Sequence, residues 1–328
     1  MEDLGFSVAL AGYEDIGAIR RLAIDHAPLR RFSRRRLSDG EMKDIRARDL
    51  EGIEELLKKE NARIYRAADR AGKLAGFIIV MLACEHQMTG EFQAEINDLF
   101  VIPEFRRQGV GALLLHKAEQ FTRSKGLKYV SVEAISENIP AVSFFQKHGF
   151  VEEIKILMMD SVTPREGSFG DYSVRLAKTF DFPRIRDLAL ETVLFSIPPE
   201  RDIDDEMIRE LYMLRMVDNV QSRLSWNTFY LVAETPSGGF AGFILAERED
   251  DFFCNVPQVK VMNIAVKEEY RGKKVAQALF NQLLIHVKEE QIPYMTGVIA
   301  TANRRSWLFF ERIWKALEER KVLAKKLP

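Results

Sequence analysis

Glu95-Ile-Asn-Asp-Leu-Phe-Val-Ile-Pro-Glu-Phe-Arg106-Arg-Gln-Gly109-Val-Gly111-Ala112 leads, through an amphipathic stretch, to Asn138-Ile-Pro-Ala-Val-Ser-Phe-Phe145-Gln-Lys-His-Gly-Phe150. The apolar run Ile96 to Ile102 reads as a strand that ends at Pro103. A helix with Leu113, Leu114, Ala118 and Phe121 along one side starts next to Gly111 and runs to about Ser124. The first amides of a helix have no intrahelical partner and lie at the positive end of its dipole, so such a loop suits a phosphate. A diphosphate reaches successive N–H groups only where no side chain stands between, which favours Gly109 and Gly111, with Arg106 and Arg107 adding charge. A P-loop would need Gly-Lys-Ser/Thr, and a dinucleotide fingerprint a third glycine with an acid on the next strand; the chain has neither.

A weaker copy recurs. Phe6-Ser-Val-Ala-Leu-Ala matches Tyr172-Ser-Val-Arg-Leu-Ala at a shift of 166, as Leu74-Ala-Gly-Phe77 matches Phe240-Ala-Gly-Phe243. Arg106 maps on Arg271 and Asn138 on Asn303 at a shift of 165, so each copy is a whole domain. At 328 residues the chain has room for two cores of about 150 residues each. The Gly/Ser/Pro-containing stretch 161–170 reads as a linker between a domain at 1–160 and one at 171–328.

The loop together with Asn138, Ala141, Phe144, Phe145, Gly149 and Phe150 resembles the GNAT superfamily of acyl-CoA-dependent N-acetyltransferases. The resemblance implies an α/β (α+β) fold: two tandem domains, each a mixed, centrally splayed sheet of about seven strands flanked by helices. The coarse pattern agrees. In the first copy it predicts a strand at 6–10, helices at 15–26 and about 51–59, and a hairpin of 63–69 with 74–84. Strands at 91–101 and 129–134, a helix at 141–147 and a closing strand at 154–159 follow.

The resemblance further implies acetyl-CoA as co-substrate and an amine acceptor that attacks it directly. The backbone of Leu99, Phe100 and Val101 would hold the pantetheine arm, and an N–H there would stabilise the oxyanion. The pyrophosphate would lie on the loop, for which Arg106, Arg107, Gln108, Gly109, Val110, Gly111 and Ala112 are the candidates, and Asn138 would position the arm. Phe145 stands where many members carry a tyrosine that protonates the leaving thiolate, which phenylalanine cannot do. An amine of pKa about 10.4 is mostly protonated at pH 7, a handicap of about 4 to 5 kcal/mol that a base relieves. Glu95 and Glu133 both match base positions of family members, and either also fits a cross-strand structural role. Simple alternation places Asp98 on the face opposite Glu95.

The second copy departs further: Lys274 replaces Gly109, and Lys260 and Val298 replace Glu95 and Glu133. Phe310 again takes the tyrosine position, and Trp314 falls at the Gly149 position. Its counterpart coenzyme site would comprise Val266, Arg271, Gly272, Lys273, Lys274, Val275, Ala276 and Asn303, with no carboxylate base.

A net charge of −1 gives no bulk attraction to nucleic acid or membrane. The start Met1-Glu-Asp-Leu-Gly lacks the basic region of a signal peptide, no apolar run reaches membrane-span length, and five scattered histidines suggest no metal site. Cys84 and Cys254 read as reduced strand residues, which suits the cytoplasm. Five arginines in 30–36 offer an electropositive rim or a solvated loop, and the equivalent stretch of the second copy, 196–206, is acidic. The expected acceptor is an amine-bearing small molecule or a peptide or protein N-terminus. The composition fixes neither the acceptor nor the oligomeric state. The alternatives are a non-catalytic acyl-CoA-binding regulator, favoured by Phe145 and the altered second loop, and a mycothiol synthase-like small-molecule acetyltransferase, favoured by the two-copy layout.

Overall fold

The computed structural model describes residues 5–30, 35, 37–58, 61–86, 88–160, 163–210, 227–251 and 256–328. Most of the arginine loop at 30–36, Cys254 and the start of the linker lie outside the described residues. The chain forms two units, Met1–Glu153 with Arg320–Pro328, and Ile154–Glu319.

In the first unit β1 (Phe6–Leu10), β2 (Ala62–Asp69), β3 (Leu74–Glu85) and β4 (Phe92–Val101) form an antiparallel meander. β4 then runs parallel to β5 (Tyr129–Ile135). α1 (Tyr13–Asp25), α2 (Asp39–Asp49) and α3 (Ile53–Lys58) precede β2, α4 (Val110–Ser124) is the crossover before β5, and α5 (Ile139–Lys147) follows it. Residues of α4 and α5, among them Leu114, Leu115, Phe121 and Phe145, bury one face of the sheet against Ile78, Val80, Ile96, Val130 and Val132. Ile16, Ile19 and Ile53 of α1 and α3 cover the other face at Ile64, Phe77 and Ile79. α2 escapes the sequence reading because its surface is almost wholly polar. Its start is fixed locally by a capping box, in which Ser38 accepts from the Glu41 amide and Glu41 accepts from the Ser38 amide.

The second unit repeats this plan with β7 (Ser173–Leu176), β8 (Thr228–Glu234), β9 (Phe240–Asp250), β10 (Pro257–Val266) and β11 (Tyr294–Ala300). α6 (Phe182–Thr192) packs on one face through Ile185, Leu188 and Ala189, and α7 (Val275–Glu289) on the other through Leu279, Phe280, Leu283 and Leu284. α8 (Arg304–Leu308) corresponds to the start of α5.

The glycine in each Ala-Gly-Phe repeat has the same purpose in both units. A β-carbon on Gly76 would lie 2.4 Å from the carbonyl oxygen of Phe100, and one on Gly242 would lie 2.5 Å from that of Ala265. Backbone cannot move out of the way as a side chain can, so the neighbouring strand demands glycine.

The terminal strand of each copy departs from expectation. β6 (Val151–Met159), predicted to close the first sheet, pairs antiparallel with β11, Ile156 lying opposite Val298. β12 (Leu317–Lys326) pairs with β5, Val322 lying opposite Glu133. The unit boundaries therefore fall at 153/154 and 319/320, not at the linker. The two strands carry one pattern, Val151-Glu-Glu-Ile-Lys-Ile-Leu157 and Leu317-Glu-Glu-Arg-Lys-Val-Leu323, at the copy shift of 166. Because they are near-equivalent, each completes the other copy's sheet with the same apolar residues inward, Leu157 in one core and Leu323 in the other.

Candidate active site

The β4–β5 ladder covers only Ala94↔Val130, Glu95↔Ser131 and Ile96↔Val132. At Asn97 a bulge shifts the β3–β4 register, after which Asp98 to Val101 continue on β3 alone. A bulge bends its strand and ends pairing on the far side. The sheet therefore forks here, and the backbone of Leu99, Phe100 and Val101 lines one prong. The second unit forks in the same way: the β10–β11 ladder ends at Val261↔Gly297, with a register shift between Val261 and Asn263.

Past the fork, Pro103–Phe105 make a 3-10 turn and Gly109 caps α4 at φ 86°. Glycine has no side chain to offer the first-turn amides of Val110, Gly111 and Ala112, so they are left for an outside acceptor. In the second unit Lys274 takes the same left-handed cap at φ 67°. The preceding left-handed position is Arg107 (φ 61°) in one copy and Gly272 (φ 78°) in the other. One glycine is exchanged for another, so the turn keeps its shape through Lys273, Lys274, Val275 and Ala276, at the expense of one non-glycine left-handed residue in each copy.

Arg106 donates through Nε to the Val101 carbonyl (3.0 Å) and lies over the Phe100 ring; Arg271 does the same to Val266 (3.2 Å). This arginine clamps the loop to the strand end as well as bringing charge. Gln108 is tied back to the Glu104 carbonyl at 2.8 Å. A β-carbon on Gly111 would lie 3.3 Å from the Phe144 ring and 3.8 Å from Val101.

Asn138 caps α5, its Oδ1 accepting from the Ala141 amide (3.3 Å), and Asn303 caps α8 through the Ser306 amide (3.1 Å). That leaves the amide Nδ2 as the only part of either side chain able to reach an arm. Phe145 is 4% exposed, packed against Phe144 and Phe150 within the α4–α5 core. Phe310, its counterpart, is equally buried. In the second copy Phe309–Ile313 form a π-turn. That turn inserts one residue, so the left-handed position of Gly149 (φ 85°) is taken by Lys315 (φ 58°) and not by Trp314.

The carboxylates meet on the α1–α2 face. Register places Asp98 opposite Ile79 and Glu95 opposite Met81. Ile79 and Met81 are two residues apart, hence on one face, so Asp98 and Glu95 share that face. Simple alternation fails here because the bulge at Asn97 resets it. Asp98 is 9% exposed and bonded to Arg46 of α2, which also lies 3.7 Å from Asp49. Glu133 points to the same side, since Val132 and Ala134 point into the α4 core, and it pairs with Arg320 of β12. Burial and the nearby Glu133 charge push the Glu95 carboxyl above the usual range, against a hydrogen bond from the Cys84 thiol that favours ionisation. Burial and Glu95 in turn push that thiol up to about 11, so half-buried Cys84 stays protonated at neutral pH. At the same positions the second unit has Lys260, Val298 and Ile154, of which Lys260 lies 4.0 Å from Glu249.

Sequence reasoning missed Arg46, Cys84 and Arg320. Only the Ile154/Arg320 mismatch between the repeated terminal strands could have pointed to Arg320. Among the described residues no cluster of His, Cys, Asp or Glu could hold a metal ion, and no helix is long and apolar enough to cross a membrane.

Fold and site together define a tandem of two α/β domains, each with a sheet that forks beside a bare helix N-terminus. The chain belongs to the Acetyltransferase (GNAT) family, whose model matches residues 27–150 and again 193–314. It is 33% identical over 86 residues to an uncharacterised N-acetyltransferase of Methanocaldococcus jannaschii, covering 25% of this chain and 36% of that protein. It is 30% identical over 90 residues to the streptothricin acetyltransferase of Streptomyces lavendulae, covering 27% of this chain and 45% of that one. The matches thus span less than half the length of either relative. Among solved structures, a GCN5-related N-acetyltransferase from Sphaerobacter thermophilus superposes with a TM-score of 0.56 at 16% identity, over 99% of this chain and 96% of that one. A tandem GNAT protein from the clavulanic acid biosynthesis pathway gives 0.50 at 12%, over 98% of each chain. At such identities the likeness is one of fold.

Proposed function

We propose that the first domain transfers an acetyl group from acetyl-CoA to the amine of a small molecule or a peptide, with Glu95 as general base. The observation that carries this reading is the position of Glu95 at the fork, with its carboxyl raised above the ordinary range. A base works best when its pKa approaches the working pH, and environments that drive two carboxylates apart distinguish their tasks. Glu133, by contrast, is tied to Arg320.

The site fits the coenzyme on three counts: side-chain-free first-turn amides at Val110 to Ala112, a left-handed glycine before them, and a strand edge at 99–101 opened by the bulge. Bound there, acetyl-CoA would supply an activated acetyl thioester. The chain's own share is to hold the diphosphate on the α4 amides, align the arm along β4, and take the amine proton on Glu95. The second domain keeps the fork and the turn, but Lys260, Val298 and Ile154 stand where the first has Glu95, Glu133 and Arg320, so it lacks that carboxylate pair, which favours a supporting role. Release of free coenzyme A from acetyl-CoA by the full chain, across a panel of peptide and small-molecule amines including streptothricin, tests the reading. Turnover that Glu95→Gln leaves unchanged would refute it.

A further inference from the structure

We infer that Arg320 is a positioning residue for proton removal in the first domain: carried on β12, it bonds to Glu133 and fixes that side chain beside Glu95. The inference rests on Glu95 being the base. It starts from register, since Arg320 lies opposite Ile135 and Val322 opposite Glu133, so Arg320 projects from the same face as Glu133 and bonds to it. Both are largely buried, the arginine side chain 10% and the glutamate 23% exposed, so the pair is only weakly screened by solvent.

The arginine comes with the strand exchange. In the chain's own order the strand after α5 is β6, and β6 has Ile154 where β12 has Arg320, within the similar runs 151–157 and 317–323. In the second sheet Ile154 lies opposite Ala300 and Ile156 opposite Val298, so both the arginine and the glutamate are replaced together by apolar residues. A purely structural pair would be as useful in one sheet as in the other; this one occurs only where Glu95 is.

Among the described residues, the charged or titratable groups on this face include Cys84 of β3, Glu95 and Asp98 of β4, Arg46 and Asp49 of α2, Glu133 of β5, Arg320 of β12, His26 against Phe100, and Arg66 of β2 with Asp15 of α1. At the far end lies the buried His86–Glu153 pair. Asp98 already has its cation in Arg46. Glu133 acts on Glu95 directly, and Arg320 governs Glu133. Removing the arginine leaves two carboxylates that resist ionising together, so the upper titration step of the pair rises. Removing the Glu133 charge lowers it.

The test is a pH titration of the full chain labelled with [5-13C]glutamate, the Glu95 resonance being identified by its loss in Glu95→Gln. Arg320→Ile should move the Glu95 titration to higher pH, Glu133→Gln should move it to lower pH, and Arg320→Lys should leave it near the native position. Shifts of the same sign in Arg320→Ile and Glu133→Gln, or no shift in either, would overturn the inference. Should Arg320→Ile fail to fold, the downward shift in Glu133→Gln and the native position in Arg320→Lys carry the test, and either one's absence overturns it. If the titrations behave as stated while Glu95→Gln keeps full turnover with the amine panel, the identification of the base has failed instead, a result distinct from the first.

Discussion

Substitution at Gly111 separates the two ways in which the α4 N-terminus could fail. An alanine there places a β-carbon 3.3 Å from two carbons of the Phe144 ring, a contact that a small ring displacement relieves. Ala276 occupies the same position in the second copy, so the turn accommodates the methyl. Replacing a helical glycine also gains up to about 1 kcal/mol of backbone entropy, and Gly111→Ala should leave stability nearly unchanged. A glutamate adds a negative charge within reach of the amides meant for phosphate. At about 4 Å and an effective dielectric of about 20, one such repulsion costs about 4 kcal/mol, close to 10³-fold in affinity. Calorimetric titration of the full chain with acetyl-CoA should show a modest loss for Gly111→Ala and loss of first-site binding for Gly111→Glu. If the two variants bind within about threefold of each other, the diphosphate does not lie on these amides.

Three further outcomes follow from the same structure. Glu95→Gln should lower turnover about 10²-fold or more at pH 7, with partial recovery at high pH where the amine is already neutral; because the native carboxyl is raised, the acidic limb that this variant abolishes should lie above the ordinary carboxylate range in a pH–rate profile. Arg46→Ala or Asp98→Ala breaks this buried ion pair and should cost about 3 to 5 kcal/mol in urea unfolding, whereas the double change to Met and Leu should cost much less. In the second unit, burial alone would raise the Asp181 carboxyl, but hydrogen bonds from Arg175, the Lys178 amide and Arg184 outweigh it and hold the group below its usual pKa. Its stabilisation is therefore complete above the ordinary aspartate range and fades as pH falls through the lowered value, so Asp181→Asn should flatten the acid side of the stability profile.

The fold was readable because its signals are local. The Ala-Gly-Phe repeat marks a strand too close to its neighbour for a β-carbon, and the Gly109 loop marks a helix start; in both cases a few adjacent residues encode the geometry. Asn138 and Asn303 were legible for a related reason, although what the structure shows of each is a helix cap. The face of Asp98 was not legible, because it depends on one unpaired residue at position 97 that no pattern announces. α2 was missed because its inward face offers only Met42 and Ile45 beside Arg46, too short an apolar period to detect, and its capping box is a short signal. The exchange of β6 and β12 was invisible for the opposite reason: two strands with the same apolar pattern satisfy either sheet, so burial alone cannot assign them.

That degeneracy breaks at a few positions. With Leu157 and Leu323, Lys155 and Lys321, and Ile156 and Val322 interchangeable, the residues that distinguish the sheets are Arg320 against Ile154, sharing a face with Glu133 and Val298 respectively, and Lys325, bonded to Glu119, against Met159, buried in the second core. Arg320 in the second sheet would put a guanidinium near Val298 with no carboxylate opposite, and Ile154 in the first would leave Glu133 without a cation. Burying an unpaired charge costs more than most apolar mismatches. The observed pairing is therefore the one in which the charged residues meet each other and the apolar residues meet each other. A chain ended at residue 160 has only Ile154 to set beside β5. Completeness of the first-domain carboxylate site and the choice of strand partner thus both draw on the Arg320–Glu133 pair.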